Sequence, residues 1–382
     1  MLVKFSNYIP QAGVWMNTQR PEWNDANNAL VGNGASMVTL CYLRRYVVFL
    51  KEILEDLDFD RISISNEVYD FFYKITEGLQ NSLSILSNTI SGQDRKKFTD
   101  ILSAAGSDHR TNIYSNGFSG EKSPLSILDL KNFLKVGLSH IDHSIKSNER
   151  QDHLFNAYNL IKFDQKDGIS IRYLYKMLEG QVSVLSSKFL KPENAVVLLK
   201  ALRSSSLYRE DQHSYLLYPN RQLPHFIEKN TIPSNIANKS KILKQHIRDK
   251  RKDFIEVDIE GKVHFNSRFR NSRILKDALD RLGTYSEKDI QTVLNIYEEI
   301  FDHQSFTGRS GAFFKYEGLG SIYWHMVSKL LLAVNEIYHT AITAKTDQKT
   351  INELKTIYYE IKEGIGINKN PAQYGAFPTD PY

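Results

Sequence analysis

The sequence predicts a mainly helical protein, an α/α barrel or bundle that carries a short β-hairpin insertion. Three observations favour this class. Most long segments repeat their apolar residues with a helical period, polar loops join these segments, and one stretch alternates as a hairpin does. The chain has 382 residues, of which 41% are hydrophobic and 24% are charged. This composition is typical of a globular protein with a sizeable core.

Helical periodicity is clearest in the first third of the chain. Leu40, Leu43, Val47 and Leu54 share one face of the first long predicted helix. Similar stripes follow, and Ser286 with the acids after it marks the start of a later helix. The predicted helices cover residues 28–56, 66–90, 92–105, 126–146, 154–161, 180–189, 192–204, 286–300, 320–344 and 347–363.

The middle of the chain lacks this helical periodicity. Residues 208–233 are rich in Tyr, Pro, Asn and His without a helical period, which predicts a long ordered loop that either contributes to a cleft or serves as a structural crossover. Residues 255–269 alternate around Glu260-Gly261 and predict a hairpin. We therefore predict one helical, toroid-like domain over residues 1–382, with a loop and β-hairpin insertion at residues 205–275.

Charge and cysteine content exclude several classes of function. The net charge of +5 is too small to indicate nucleic-acid binding, and the basic run Lys241–Lys252 is expected to be a solvated helix face. The single cysteine, Cys41, excludes an internal disulfide and a thiolate metal cluster. His140 and His143 lack a third ligand, so no metal is expected. No apolar run approaches the ~18 residues of a membrane span, and we expect a cytoplasmic protein.

An unusual polar and aromatic island precedes the first long helix. Residues 13–30 contain two Trp, one Arg, two acids and four Asn, a mixture that hydrophobic burial does not require. Asp25 is the candidate general acid, because a glycosidic oxygen leaves readily only when it is protonated. The alternative is that Asn24 or Asp25 merely caps the following helix. The predicted substrate-binding residues of this island are Trp15, Arg20, Glu22, Trp23 and Asn24.

A second island lies almost three hundred residues later. Thr307-Gly308-Arg309-Ser310 combines exposed backbone N–H groups, hydroxyls and a guanidinium, which suits phosphate; the alternative is a flexible turn. Glu317 is a candidate catalytic base for water, or a partner of Lys315. The predicted substrate-binding residues of this island are Tyr316, Trp324 and His325. Two such islands predict one sugar site that folding assembles, without a cofactor.

The islands resemble motifs of the six-hairpin, (α/α)6-barrel carbohydrate enzymes, especially the cellobiose-phosphorylase-like inverting glycoside phosphorylases. Trp23-Asn24-Asp25 is similar to the sequence that carries the general acid in that family, and Thr307-Gly308 resembles its phosphate-binding turn. The resemblance implies that inorganic phosphate, as co-substrate, attacks the anomeric carbon of an oligosaccharide while the acid protonates the departing oxygen. It also implies a truncated C-terminal portion of a longer enzyme, an incomplete barrel that needs the missing remainder or a homo-oligomer.

Three hypotheses follow. The first is an inverting glycoside phosphorylase with Asp25 as acid. The second is an inverting hydrolase, in which Asp25 is the acid and Glu317 the base, with carboxyl groups about 6.5–9.5 Å apart. The third is a non-catalytic module that binds carbohydrate or, through Lys241–Lys252, nucleic acid; it leaves both islands unexplained.

Overall fold

A computed structural model describes residues 1–17, 30–56, 58–87, 89–164, 166–220, 224–283, 285–302, 322–366 and 369. These residues form two compact units. The first contains the described parts of 1–220 and 322–369, and the second contains the described parts of 224–302. The predicted insertion at 205–275 overlaps the second unit, and its boundaries stay a prediction.

Helices dominate the first unit, as predicted. Their starts carry the expected caps: the Ser36 hydroxyl accepts a hydrogen bond from the Thr39 amide at 3.0 Å, and Ser126 accepts from Leu128 at 3.1 Å. The helices are α1 (Leu2–Phe5), α2 (Met37–Glu55), α3 (Asn66–Asn81), α4 (Gly92–Asn116), α5 (Ile127–Ser147), α6 (Leu178–Ser186) and α7 (Pro192–Arg203). Two 3-10 turns, Leu83–Ser87 and Glu210–Gln212, belong to the same unit.

A five-stranded antiparallel sheet was missed by the sequence analysis. Its strands, in spatial order, are β1 (Tyr8–Ile9), β2 (Gly13–Trp15), β3 (Gly34–Ser36), β6 (Tyr158–Asp164) and β7 (Gly168–Tyr173). The helix predicted at 154–161 is wrong, because a short apolar run fits a buried strand as well as a helix. Ile161 pairs with Ile171, and Asp164 accepts hydrogen bonds from the Lys166 and Asp167 amides, which closes the β6–β7 turn.

The turn between β6 and β7 lies against the start of α4. A Cβ at Gly92 would overlap the Asp167 carbonyl oxygen, and a Cβ at Gly168 would overlap the Gly92 carbonyl. Gly168 also has a φ of +79°, which favours glycine. The buried Arg95 guanidinium donates to the carbonyls of Pro10 and Ile169 at 3.0 and 2.7 Å. The sheet and the first turn of α4 are therefore held in one fixed arrangement.

Two short antiparallel ladders complete the strands of this unit: β4 (Arg61–Ser65) with β5 (Lys122–Ser126), and β8 (Tyr208–Arg209) with β9 (Ser214–Tyr215). The last two helices, predicted at 320–344 and 347–363, are here α13 (Trp324–Thr343) and α14 (Gln348–Ile365), and they pack on each other. Charged pairs join α2 to its neighbours. Arg44 binds Asp142 of α5 at 2.6 Å, and Arg45 binds Glu336 of α13 with two bonds of 2.7 and 2.8 Å.

The second unit surrounds its own core. Its helices are α8 (Phe226–Lys229), α9 (Ser234–Ala237), α10 (Lys241–Arg248), α11 (Ser272–Arg281) and α12 (Glu287–Phe301). Its sheet has the order β10 (Thr231–Ile232), β12 (Val263–Phe265), β11 (Ile255–Val257). The antiparallel pairing of β11 with β12 confirms the predicted hairpin. Phe254, Phe265 and Tyr297 fill the core. Lys241, Lys244 and Arg248 are exposed on α10, which confirms the solvated basic face.

Candidate functional site

Trp15 is the predicted site residue whose surroundings the structure describes best. It ends β2 and is half-buried beside the apolar cluster of Ile9, Ala35 and Ile169. Its indole N–H donates to the Gly32 carbonyl at 3.0 Å, and its ring lies 5.5 Å from the Phe163 ring. The indole is therefore held in one orientation by a hydrogen bond and by packing.

A groove of about 540 Å³ opens beside this indole. Its polar lining includes the amides of Asn7 and Asn17, whose side chains join through a 2.5 Å hydrogen bond from Asn17 Nδ2 to Asn7 Oδ1. Ser103 and Arg110 of α4 add a hydroxyl and a guanidinium. Asn17 stands eight residues before Asp25 in the sequence. The groove thus adjoins the chain that leads to the Trp-Asn-Asp motif.

Aromatic rings also line the groove. Tyr114 is 83% exposed and Phe118 is 60% exposed, although rings of this size usually avoid water. Phe71 and His109 also line it, stacked with ring centres 4.4 Å apart and planes within 8°. Flat rings, amides and hydroxyls in one concave surface can hold a sugar ring by its apolar face and by its hydroxyls. This groove is the candidate site.

Phe71 and His109 also border a second groove, of about 670 Å³, between α3 and α4. Its acids include Glu67, Asp70 and Asp108. Hydrogen bonds from Ser119 lower the pKa of Glu67, which favours the carboxylate form. A general acid must hold its proton near neutral pH, so Glu67 does not suit that role.

Trp324 and His325 lie in different surroundings, at the first turn of α13. The Tyr323 and His325 rings are 5.8 Å apart, and the Lys369 ammonium lies 5.2 Å from the centre of the Trp324 ring. Lys369 also donates to the Gln212 carbonyl, and burial lowers the pKa of Lys369 while Asp211 opposes that shift. A cation therefore already occupies one face of Trp324.

The other predicted site residues lie outside the described residues, and their roles stay predictions. They are Arg20, Glu22, Trp23, Asn24, Asp25, Thr307, Gly308, Arg309, Ser310, Tyr316 and Glu317. The groove residues Phe71, His109, Tyr114 and Phe118 were missed by sequence reasoning. One signal could have identified two of them: Tyr114 and Phe118 stand among small polar residues in Asn112–Gly120, where no core explains a large ring.

His140 belongs to the core of the first unit. Its Nε2 bonds the Leu79 carbonyl at 2.9 Å, and its ring stacks on Phe98 with centres 5.1 Å apart. In the described part of the chain, no three potential metal ligands come together, and no helix is both long and apolar enough to cross a membrane.

One comparison with known proteins bears on this chain. Residues 223–304 match the family described as GH149 phosphorylase insertion domain 2. The match covers the same stretch as the second compact unit, so sequence similarity and chain folding mark the same domain. The match relates the chain to the glycoside phosphorylases. A search among curated proteins found no match.

Proposed function

We propose that the chain belongs to an inverting glycoside phosphorylase-like enzyme, which cleaves a glycosidic bond of an oligosaccharide with inorganic phosphate. The observation that carries the proposal is the match of residues 223–304 to a phosphorylase insertion domain. The groove at Trp15 supports it independently, because its exposed rings and amides suit a sugar. The buried, single Cys41 suits a cytoplasmic enzyme.

In the proposed reaction an oxygen of phosphate forms a bond to the anomeric carbon as the glycosidic C–O bond breaks. The Asp25 carboxyl gives its proton to the departing oxygen, so the products are a sugar 1-phosphate and a glycan with one new hydroxyl. Thr307, Gly308, Arg309 and Ser310 would hold the phosphate. Arg20, Glu22, Trp23 and Asn24, with Tyr316, would bind the sugar on either side of that bond.

The proposed fold for this activity is an (α/α)6 barrel. Pairwise packing of α3 on α4 and of α13 on α14 supports it, because such antiparallel pairs with short connections are the repeating unit of α/α folds. The groove is proposed to bind sugar units of the acceptor chain remote from the bond that reacts.

The test is synthesis in the reverse direction. The purified chain is mixed with a sugar 1-phosphate and a series of acceptor oligosaccharides, and phosphate release is measured. Asp25→Asn is expected to lower the rate by about 10²-fold or more, because it removes the proton donor. Asp100→Asn is the matched control, since Asp100 is an exposed acid of α4 that pairs with Lys96. Equal rates for Asp25→Asn and Asp100→Asn would contradict the assignment.

The same assay separates phosphorolysis from hydrolysis. Incubation of an oligosaccharide with and without phosphate is expected to yield sugar 1-phosphate only when phosphate is present. Release of free sugar without phosphate, abolished by Glu317→Gln, would instead support the inverting hydrolase.

A further inference from the structure

The groove between α3 and α4, called the acidic groove below, carries more negative than positive charge. Its acids are Glu67, Asp70 and Asp108, and Lys74 is the single lysine or arginine of its described lining. Lys74 pairs with Asp108 at 3.2 Å. Asp70 is exposed and has no ion pair or hydrogen bond through its side chain in the described part of the chain. Two carboxylates, those of Glu67 and Asp70, are therefore not neutralised by a lysine or arginine of the described residues.

Glu67 is the buried member of this pair. It is 8% exposed, and its Oε1 accepts a hydrogen bond from the Ser119 amide at 2.7 Å. Its Oε2 is shielded from solvent and has no hydrogen-bond partner among the described residues. A buried carboxylate oxygen without a donor lowers stability, and a ligand N–H that reaches Oε2 would relieve this penalty. Because Glu67 lines the groove, it indicates a ligand that donates hydrogen bonds and carries positive charge.

Aromatic rings lie beside these carboxylates. Tyr69, Phe71 and Tyr73 line the acidic groove, and the centres of the Tyr69 and Tyr73 rings are 4.7 Å apart. The Tyr73 hydroxyl donates to Asp129 at 2.6 Å, which holds this ring in place. The faces of such rings attract ammonium groups and also cover methylene chains. In the described residues no three potential metal ligands come together, so the groove suits an organic cation better than a metal ion.

We propose that the acidic groove binds a short organic diamine, with one ammonium group at Glu67 and the other at Asp70. The two acids are three residues apart on α3, so they are neighbours on the helix surface, with Cβ atoms about 5–6 Å apart. Two positive charges balance the two carboxylates, and the methylene chain between them contacts the rings. Each primary ammonium group carries three N–H donors, which can serve Glu67 Oε2 as well as water.

The acidic groove shares a boundary with the candidate sugar groove. The stacked rings of Phe71 and His109 border both. A bound diamine would therefore lie next to the candidate sugar groove. The diamine site does not rest on the sugar proposal, because the carboxylates that carry it belong to the acidic groove alone.

The first experiment compares three ligands by calorimetry. The intact chain is titrated with 1,4-diaminobutane in about 0.15 M salt, where exposed charges more than about 8 Å apart are largely screened. A dissociation constant below about 1 mM is expected. The matching diol has no charge and should not bind. The bis(trimethylammonium) analogue keeps both charges but has no N–H donors, so it should bind more than about tenfold more weakly than the diamine. Failure of the diamine to bind, or equal binding of the analogue, would overturn the proposal.

The second experiment locates the site by mutation. Asp70→Asn removes an exposed charge and is expected to weaken diamine binding by about tenfold. Glu67→Gln should have a similar effect, while its amide oxygen can still accept the hydrogen bond from Ser119. Glu77→Gln is the matched control, since Glu77 is an exposed acid of α3 outside the groove lining, and this variant should bind as the wild type does.

Circular dichroism confirms that each variant is folded. If Asp70→Asn binds the diamine as tightly as Glu77→Gln does, the acidic groove is not the binding site. These results do not depend on the proposed catalytic function.

Discussion

Trp15 and Trp324 occupy similar positions in the two sequence islands, yet their surroundings differ. The Trp15 indole is fixed by Gly32 and Phe163 and borders a groove with exposed rings. The Trp324 ring carries the Lys369 ammonium at 5.2 Å. A Trp among polar residues in a sequence therefore does not by itself indicate a sugar-stacking site. The groove, not the composition of the island, makes Trp15 the stronger candidate for sugar stacking.

The largest expected effect is a loss of folding stability at low pH, caused by His140 of the first unit. His140 is joined to the sheet that contains Trp15: the Tyr8 hydroxyl of β1 donates to the His140 carbonyl, and β1 pairs with β2. Burial lowers the pKa of His140 to about 4, below its unfolded value of about 6.5. The unfolded chain therefore binds the extra proton first, and stability is lost as pH falls from about 6.5 to about 4, by up to about 3 kcal/mol.

The measurement is the free energy of unfolding in urea at several pH values between neutrality and pH 4. His140→Gln is the control, because an amide can still donate to the Leu79 carbonyl but does not titrate. Carboxylates contribute to both proteins, so the difference between them reports His140. An identical pH dependence in the two proteins would contradict the prediction.

Replacement of Trp15 and of Trp324 should lower the free energy of unfolding of the protein by different amounts. Trp15→Ala removes a hydrogen bond and half-buried packing, and it is expected to lower the free energy of unfolding by about 2 kcal/mol. Trp324→Ala should cost about half as much, because a cation rather than the apolar core covers one face of its ring. Urea denaturation of both variants is the measurement. Equal losses would remove the distinction between the two sites.

A variant of the groove should lose affinity for sugar while its folding stability stays the same, which would distinguish the groove from the surroundings of Trp324. Tyr114 is 83% exposed, so Tyr114→Ala should alter the free energy of unfolding by less than about 0.5 kcal/mol. Loss of the ring should weaken oligosaccharide binding by about tenfold, measured by calorimetry. Tyr359→Ala, a change at a half-exposed tyrosine of α14, is the control and should bind normally. If both variants bind equally well, the groove is not the sugar site.

The smallest effect is expected at Lys369. Lys369→Met keeps the length of the side chain but removes the charge from the Trp324 face, at a cost of about 0.5–1 kcal/mol. Urea denaturation of this variant in the wild-type and Trp324→Leu backgrounds measures the coupling between the two residues. A coupling of zero would show that the cation does not stabilise the ring.

The sequence predicted elements whose pattern is local. Helices α2, α3, α5 and α13 follow from apolar residues repeated every three or four positions, and the β11–β12 hairpin follows from alternation around one turn. Strands β1, β2 and β3 have only two or three residues each, and β3 pairs with β6, more than one hundred residues away. No short window of sequence contains both partners of the β3–β6 pair, so periodicity alone could not join these strands in one sheet.

Among the residues that line the candidate groove, the sequence analysis singled out only Trp15 as a site residue. Trp15 stands out in the sequence as a large ring among Asn and acidic residues, and in the structure it borders a groove. His109 and Tyr114 were missed because α4 was predicted to end at residue 105, whereas it continues to Asn116. Beyond Ala105 this helix has almost no apolar stripe, since solvent and the groove, rather than a core, surround it.

The contact between Gly92 and Gly168 holds the first turn of α4, and the other end of this helix reaches the groove. The helix has 25 residues, and Tyr114 stands about 33 Å from its first turn at about 1.5 Å per residue. A tilt of about 5° at the fixed end would move the Tyr114 ring by about 3 Å. The absence of side chains at Gly92 and Gly168 thus lets β7 approach the first turn of the helix whose last turns carry Tyr114 to the groove.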